Sequence, residues 1–456
     1  MPIVQTIDEL ASKGNSLLWE EPLWSGGWSF MVLVSLLMAA GFTVYLGFVQ
    51  IRGFRHGIKV ALGKYDDPDD PGDVSHFQAL ATALSGTVGL GNIAGVAVAV
   101  SMGGPGVTVW MILIGLLAMA SKYAECTLSC MFRRYAKDGA VLGGPMYYLE
   151  RMGRIGKALA IAFALVIAFS SLGGSNAFQA NQVAAAFEHS FSVPPIWTGI
   201  GLCFLATLVI AGGIKRLGKV SGSLVPVMAV GYIGCCLWVI ASHYQEVPAA
   251  VLRIIHDAFS GTDSIGAFKG AVVGTVISHA MQRALFSCEA GQGSAAIAHA
   301  AAKTKEAVRE GHVALLEPFI DTVVICSITA VTIGVTEAWH SGSGGVNITQ
   351  QALGPFLGKY FLPFAVLLFA FSTIISWWYY GTQGVKYAAG NRRWATIAFG
   401  VLYLASTVLG SVWSMHTILN LAGIGMGAMM TVNGIALVFH ARRLKAESQR
   451  YRRLYY

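Results

Sequence analysis

Residues Ser85-Gly86-Thr87-Val88-Gly89-Leu90-Gly91-Asn92 lie in the middle of an apolar segment, 76–101, that is long enough to cross a bilayer. Glycine and asparagine at that depth break a helix, and hydrocarbon offers no water to satisfy the backbone groups set free. A break of this kind is tolerated only where it lines a cavity, and there its N–H and C=O groups can hold an ion or a charged substrate. The segment therefore points to a transporter before any other motif is read.

Composition agrees with a membrane solvent. The chain is 55% hydrophobic and 12% charged, against about 25% charge in soluble domains. A span needs roughly 20 mainly apolar residues. Eleven segments qualify: 28–51, 76–101, 106–131, 158–188, 196–213, 219–241, 266–300, 312–337, 361–389, 394–413 and 415–440. The expected architecture is an all-α polytopic membrane protein of eleven transmembrane helices. Residues 1–27 are polar and acidic and lack the basic start of a signal peptide. All seven cysteines fall in apolar segments and form no CxxC or Cys/His cluster, which argues against a disulfide framework or a metal centre.

The basic residues set an orientation. With the N-terminus outside, the loops at 52–64, 133–157, 215–219, 303–309 and 386–393 and the tail at 441–456 face inward and hold most Lys and Arg; only Lys13, Arg253 and Lys359 fall outside. This is the arrangement of a multi-pass protein of a bacterial-type inner membrane, with its C-terminus in the cytoplasm. The net charge of +8 follows from that rule and is no sign of nucleic-acid binding. The tail is also able to attract anionic lipid. Two non-spanning pieces are expected: a short inner surface helix at 144–152 and an amphipathic interfacial helix at 248–259. The acidic run 66–73 lacks the spacing of a calcium loop and reads as a solvated loop.

A second break is expected in the seventh segment. Arg283 and Glu289 are charges in an apolar stretch, and Gly291 and Gly293 permit unwinding. Intramembrane charges serve function or pair to lock helices, and both readings stay open here. Breaks in segments two and seven, five apart and running in opposite directions, fit an inverted repeat of five helices plus one extra helix. On this division 28–51 is the addition, 76–241 the first repeat and 266–440 the second.

Other polar residues complete the picture. Ser372 and Thr373 in segment nine offer hydroxyl oxygens that suit a hard cation; bonding back to their own helix is the alternative. Trp377 lies too deep for an interfacial belt and is placed to wall a cavity. Gln179 in segment four can donate to a carboxylate, or join helices. Asp321 is a proton or cation site, or a hydrogen-bonded structural group. Gly91-x-x-x-Gly95 also suits close helix packing, but the glycines of 86–91 go round the helix rather than along one face.

Taken together, Gly-Thr-Val-Gly-Leu-Gly-Asn-Ile-Ala-Gly-Val-Ala (86–97), Lys122-Tyr123-Ala124-Glu125, Phe286-Ser287-Cys288-Glu289-Ala290-Gly291, Asp321-Thr322 and Ser372-Thr373 with Trp377 resemble the alanine or glycine:cation symporter family over nearly the whole chain. The resemblance implies a LeuT-type 5+5 inverted repeat, sodium as coupling ion with no other cofactor, and a small neutral amino acid as substrate. It implies no enzymatic activity. Carried over by motif, the backbone N–H groups of Leu90 and Gly91 and the side chain of Gln179 bind the substrate carboxylate, and Phe286 and Trp377 wall the pocket. The carbonyls of Ser85 and Val88 with the hydroxyls of Ser372 and Thr373 hold sodium, and Asn92 with Thr87 serves a second ion. Departures from the pattern are Ala284 for a usual Gly, Cys288 for a usual Asn, and Leu90 where many members carry Thr. The function expected is sodium-coupled uptake of alanine, glycine or serine by alternating access. Proton coupling, and a related substrate such as glutamine, are the alternatives.

Overall fold

The structure, a computed structural model, describes residues 2–23, 28–136, 139–210, 213–260 and 269–455. Helix α1 (Pro2–Trp19) lies against the C-terminal helix, where the Trp19 indole donates to the Gly423 carbonyl at 2.9 Å. Helix α2 (Phe30–Tyr45) is apolar. It ends at Gly47 and Phe48, both at positive φ, and the chain turns by 77° into α3 (Val49–Ala61).

The first broken span follows. Helix α4 (His76–Thr87) opens with a reciprocal cap, in which Ser75 and Gln78 each satisfy the other's backbone N–H. It stops at Val88. A π-helical turn at Gly91–Gly95 then leads into α5 (Val96–Gly103), at 50° to α4. Helix α6 (Val107–Phe132) crosses next, and a two-residue hairpin, β1 (Arg134–Tyr135) with β2 (Val141–Leu142), leads to α7 (Pro145–Leu149).

A π-helical turn at Ser171–Ala177 interrupts α8 (Gly153–Ser170) and α9 (Phe178–Phe191). Helices α10 (Pro195–Ile210) and α11 (Gly213–Ser242) precede the amphipathic α12 (Val247–Ser260). The second break lies between α13 (Lys269–Cys288) and α14 (Ala295–His299). Helices α15 (Ala307–Ala314), α16 (Leu316–Pro318) and α17 (Ser327–Thr336) then form one apolar run, with a π-helical stretch at Phe319–Cys326. The short α18 (Val346–Ala352) and α19 (Gly354–Phe356) lead to α20 (Leu362–Ala388), α21 (Arg393–Val412) and α22 (Met415–Tyr455).

Among the described residues, seven helices are long and apolar enough to cross a membrane, or nine if each of two bent pairs is one span. Large apolar side chains such as Phe204, Val230, Trp238 and Val401 remain exposed on α10, α11 and α21. Such faces are satisfied by lipid, with backbone polar groups paired inside the helices. Helix α20 is central: it packs against α4, α8, α9, α11 and α21.

Two local expectations fail on burial. Residues 145–149 do not lie on a surface; Pro145 through Leu149 are all buried, and Tyr148 bonds to Asn433 on α22 at 2.5 Å. The acidic run is not simply solvated either. Asp70 is 6% exposed and pairs with Lys305 at 2.8 Å and Arg309 at 3.7 Å. Burial pushes the Asp70 carboxyl up, but the Lys305 hydrogen bond and the charges of Lys305 and Arg309 outweigh it and hold the group below the usual carboxylate range.

Beside the second break runs a fully buried chain of charges. Lys122 lies 3.5 Å from Glu125 and 3.2 Å from Glu317. His299 reaches Glu317 at 3.4 Å and Glu310 at 2.6 Å, and Glu310 also bonds His76 at the start of α4. Glu125 accepts from the backbone N–H of Gly293 at 3.0 Å and from Asn433 at 3.1 Å. The chain thus joins α4, α6, α14, α15, α16 and α22 to the backbone of the break.

Candidate functional site

The break after α4 is held open by close neighbours on two sides. A Cβ on Gly89 would sit 2.5 Å from the Thr373 hydroxyl and 3.2 Å from the Gln179 amide. A Cβ on Gly86 would meet the Tyr380 ring at 3.1 Å, and one on Gly91 would meet Ser287 Cα at 3.3 Å. The glycines therefore let the main chain approach α20, α9 and α13, which a side chain would prevent.

The freed backbone groups find partners. The last N–H of the inner half-helix, on Val88, donates to Leu84 at 2.6 Å. The N–H of Gly89 donates to Asn92 Oδ1 at 2.9 Å, and that of Leu90 to Gln179 Oε1 at 3.1 Å. Gln179 thus touches the segment to which sequence assigns the carboxylate, and it occupies the Leu90 donor itself.

A set of oxygens gathers where α4 ends against α20. Ser85 Oγ donates to the Ser372 carbonyl at 2.8 Å, and Ser372 Oγ lies 2.9 Å from the Phe369 carbonyl and 3.4 Å from that of Ser85. Ser376 Oγ lies 3.0 Å from Ser85 Oγ. The Thr373 hydroxyl is buried and has no hydrogen-bond partner, although a buried hydroxyl normally finds one. Thr87 bonds back to the Ala83 carbonyl of its own helix at 3.2 Å.

Asn92 belongs to a second cluster. Its amide donates to Asp321 Oδ1 at 2.7 Å, while Ser287 and Thr322 donate to Asp321 Oδ2 at 2.7 and 2.8 Å. Asp321 is fully buried and joins the π-turn after the first break, the end of α13 and the π-helical stretch 319–326. This is the hydrogen-bonded arrangement a buried carboxylate needs.

At the second break Glu289, Gly291 and Gly293 all have positive φ. Glu289 forms no ion pair with Arg283; it accepts from the Trp377 indole at 2.8 Å and from Ser294 at 2.5 Å. Ala284 and Cys288 lie within α13, so the unwinding begins just after Cys288.

A small cavity of about 30 Å³ lies between the two breaks. Of the residues named from sequence, Thr87, Gly91, Gln179, Phe286, Thr373 and Trp377 line it. Ser85, Val88, Leu90, Asn92 and Ser372 are buried next to it without forming its wall. Phe286 is held edge-on to Phe178 at 5.3 Å. Glu289 also lines the cavity, as do Gly174 on the π-turn before α9 and Ala422, Met426 and Met429 on α22. Gly174 belongs to a polar, glycine-bearing stretch that stands out in sequence. The α22 residues carry no such signal, because small and methionine side chains are ordinary core.

Two main-chain breaks flanking a small polar cavity give a place to clasp a zwitterion and a cation without burying a full protein charge against either. The chain matches the sodium:alanine symporter family model over residues 12–455. It is 39% identical over 428 residues to the sodium/alanine symporter AgcS of Methanococcus maripaludis, covering 90% of this chain and 92% of that protein. It is 37% identical over 443 residues to an uncharacterized transporter of Haemophilus influenzae, covering 95% and 93%. The crystal structure of MhsT in complex with L-phenylalanine superposes with a TM-score of 0.57 over 83% of this chain and 93% of that one, at 14% identity, which establishes a common fold. Family and fold are those of membrane transporters, and this chain belongs to the sodium:alanine symporter family.

Proposed function

We propose that this protein couples sodium entry to the uptake of a small neutral amino acid, with alanine, glycine and serine as substrates. The observation that carries the reading is the buried Thr373 hydroxyl, partnerless at the cavity wall beside the end of α4. It is an oxygen donor held in reserve, and hard cations take oxygen ligands. The Ser85 and Val88 carbonyls and the Ser372 hydroxyl complete the sodium site. Thr87 and Asn92 serve a second ion.

The substrate carboxylate takes the N–H groups of Leu90 and Gly91 at the start of the outer half-helix, where the helix dipole is positive. Gln179, which now accepts from Leu90, turns its amide to the carboxylate when substrate enters. Phe286 and Trp377 limit the side chain. Sodium beside the break orders the chain that binds the carboxylate, so each ligand strengthens the other's binding, reciprocally. Each charge moved inward gains about 2.3 kcal/mol per 100 mV of membrane potential. The concentration of Lys and Arg in alternate loops supports an orientation with the N-terminus outside and the C-terminal helix end in the cytoplasm of a bacterial-type inner membrane.

The test is uptake of labelled alanine and glycine into proteoliposomes, with sodium and pH gradients imposed separately. Uptake should require inward sodium and stop when choline replaces it. Uptake that persists in choline and follows a proton gradient would transfer the coupling to Asp321 or Glu289 and refute the sodium assignment.

A further inference from the structure

A second recess, of about 550 Å³, lies apart from the first break, where α2 ends and turns into α3. Its floor is made by α6 and the end of α22. Three cations line it: Arg52 on α3, and Lys445 and Arg452 on α22. Ser448 and Gln449 add a hydroxyl and an amide, and no Asp or Glu is among its lining residues. The carboxylate closest in sequence, Glu447, is taken by Arg450 at 2.6 Å.

The other rim is apolar. Val44, Leu46 and Val49 border the recess, and just outside it Phe48 and Ile51 are 48% and 73% exposed. The cations are fixed beside this rim. Gly47 has φ +67°, and any side chain there would collide with the Arg52 guanidinium. The Lys445 ammonium sits 4.3 Å from the centre of the Tyr45 ring, a cation–π contact that holds it at the end of the apolar helix.

Three cations, an apolar lip beside them and a position at the end of a membrane helix are three properties of one ligand chemistry. The geometry points to a binding site for an anionic phospholipid, with its phosphate among Arg52, Lys445 and Arg452 and its acyl chains running along the exposed side of α2. Basic pockets beside membrane helices bind acidic headgroups in this way. A free phosphate would use the cations alone and would leave the apolar lip without purpose. The site lies outside the transport cavity and does not depend on which ion or amino acid is carried.

The experiment uses the full chain in nanodiscs of phosphatidylcholine doped with phosphatidylglycerol, and reads retained lipid by native mass spectrometry. Wild type should keep phosphatidylglycerol in preference to phosphatidylcholine. Each cation near a membrane surface contributes roughly fivefold to such binding, so Arg52→Gln/Lys445→Gln/Arg452→Gln should retain it on the order of a hundredfold less well. The variant Arg392→Gln/Arg393→Gln/Arg453→Gln removes as much charge from exposed positions outside the recess and should retain lipid as wild type does. A thermal melt matching wild type shows that the recess variant is folded; if it is not, Arg52→Gln alone replaces it, with about a fivefold loss expected. Equal losses in both triple variants, or none in either, would overturn the proposal. So would displacement of the lipid by millimolar inorganic phosphate, which would make the recess a plain anion site.

Discussion

Thr373 and Ser372 are neighbours in sequence and opposites in structure. Ser372 spends its hydroxyl on the Phe369 carbonyl and leans toward Ser85, while Thr373 has no partner at all. Removing a hydroxyl that makes no protein bond costs the fold little. Thr373→Val should therefore leave the melting temperature unchanged while raising the sodium concentration for half-maximal alanine uptake roughly tenfold, about the value of one hydrogen bond to a charged group. A sodium titration in proteoliposomes, beside a thermal melt, checks both halves. A fall in stability with unchanged sodium dependence would remove Thr373 from the proposed ion site. Sequence shows that two adjacent hydroxyls are present. It does not show which is already engaged, because the Ser85 partner lies 287 positions away. The same limit applies to Glu289: an intramembrane carboxylate is plain in the sequence, but its bonds to Trp377 and Ser294 depend on a turn of the chain at positive φ.

At the scale of an element, the first break is the most legible part of the molecule. Three glycines in six residues predict an interruption near position 88, and α4 does end there. Their separate roles become visible only with the neighbours in place. Gly89 faces Thr373 and Gln179 at short range, whereas a Cβ on Gly95 would meet nothing nearer than 3.8 Å. Gly89→Ala should thus weaken substrate binding at least about tenfold, since a misplaced methyl there must displace both groups or the main chain. Gly95→Ala should bind as wild type does, because its surroundings have room. Isothermal titration with alanine in saturating sodium distinguishes them; equal affinities in both variants would contradict a tight packing role for Gly89. The 145–149 helix shows the converse. Residues 144–152 read as a short inner surface helix, yet Pro145 through Leu149 are buried and Tyr148 bonds to α22, following Gly144 at φ +115°. Five residues are too few for a periodicity that could tell surface from core.

Over the whole molecule, hydrophobic segments and glycine punctuation were enough to recover an all-helical membrane protein with paired interruptions. The division into two five-helix repeats, 76–241 and 266–440, remains our proposal and rests on those interruptions. What composition could not reveal is how charges scattered over two hundred residues join into one buried chain from His76 to Glu125. Lys122 and Glu125 stand at i, i+3 on α6 and both are fully buried, and Glu317 comes from a distant helix. Taking one partner from a buried ionic set strands the rest, at a cost of about 3–5 kcal/mol. Lys122→Met should therefore lower stability by about that amount, because Glu125 and Glu317 lose their shared cation. Lys122→Arg should recover much of the loss. Chemical denaturation in detergent micelles supplies the measurement, and a Met variant as stable as wild type would show the chain to be dispensable.

The last helix adds a mechanical consequence. Its 41 residues run without interruption from Met415 to Tyr455, a rod of roughly 60 Å at the α-helical rise. Near one end it anchors the amino-terminal segment through Gly423; a turn further on it walls the central cavity through Met426; its far end lines the basic recess with Arg452. A stiff strut shared by three compartments transmits tilt. A fluorophore carried beyond Tyr455 would swing whenever the cavity changes shape, so occupancy at the centre of the bilayer becomes readable as a displacement at the surface.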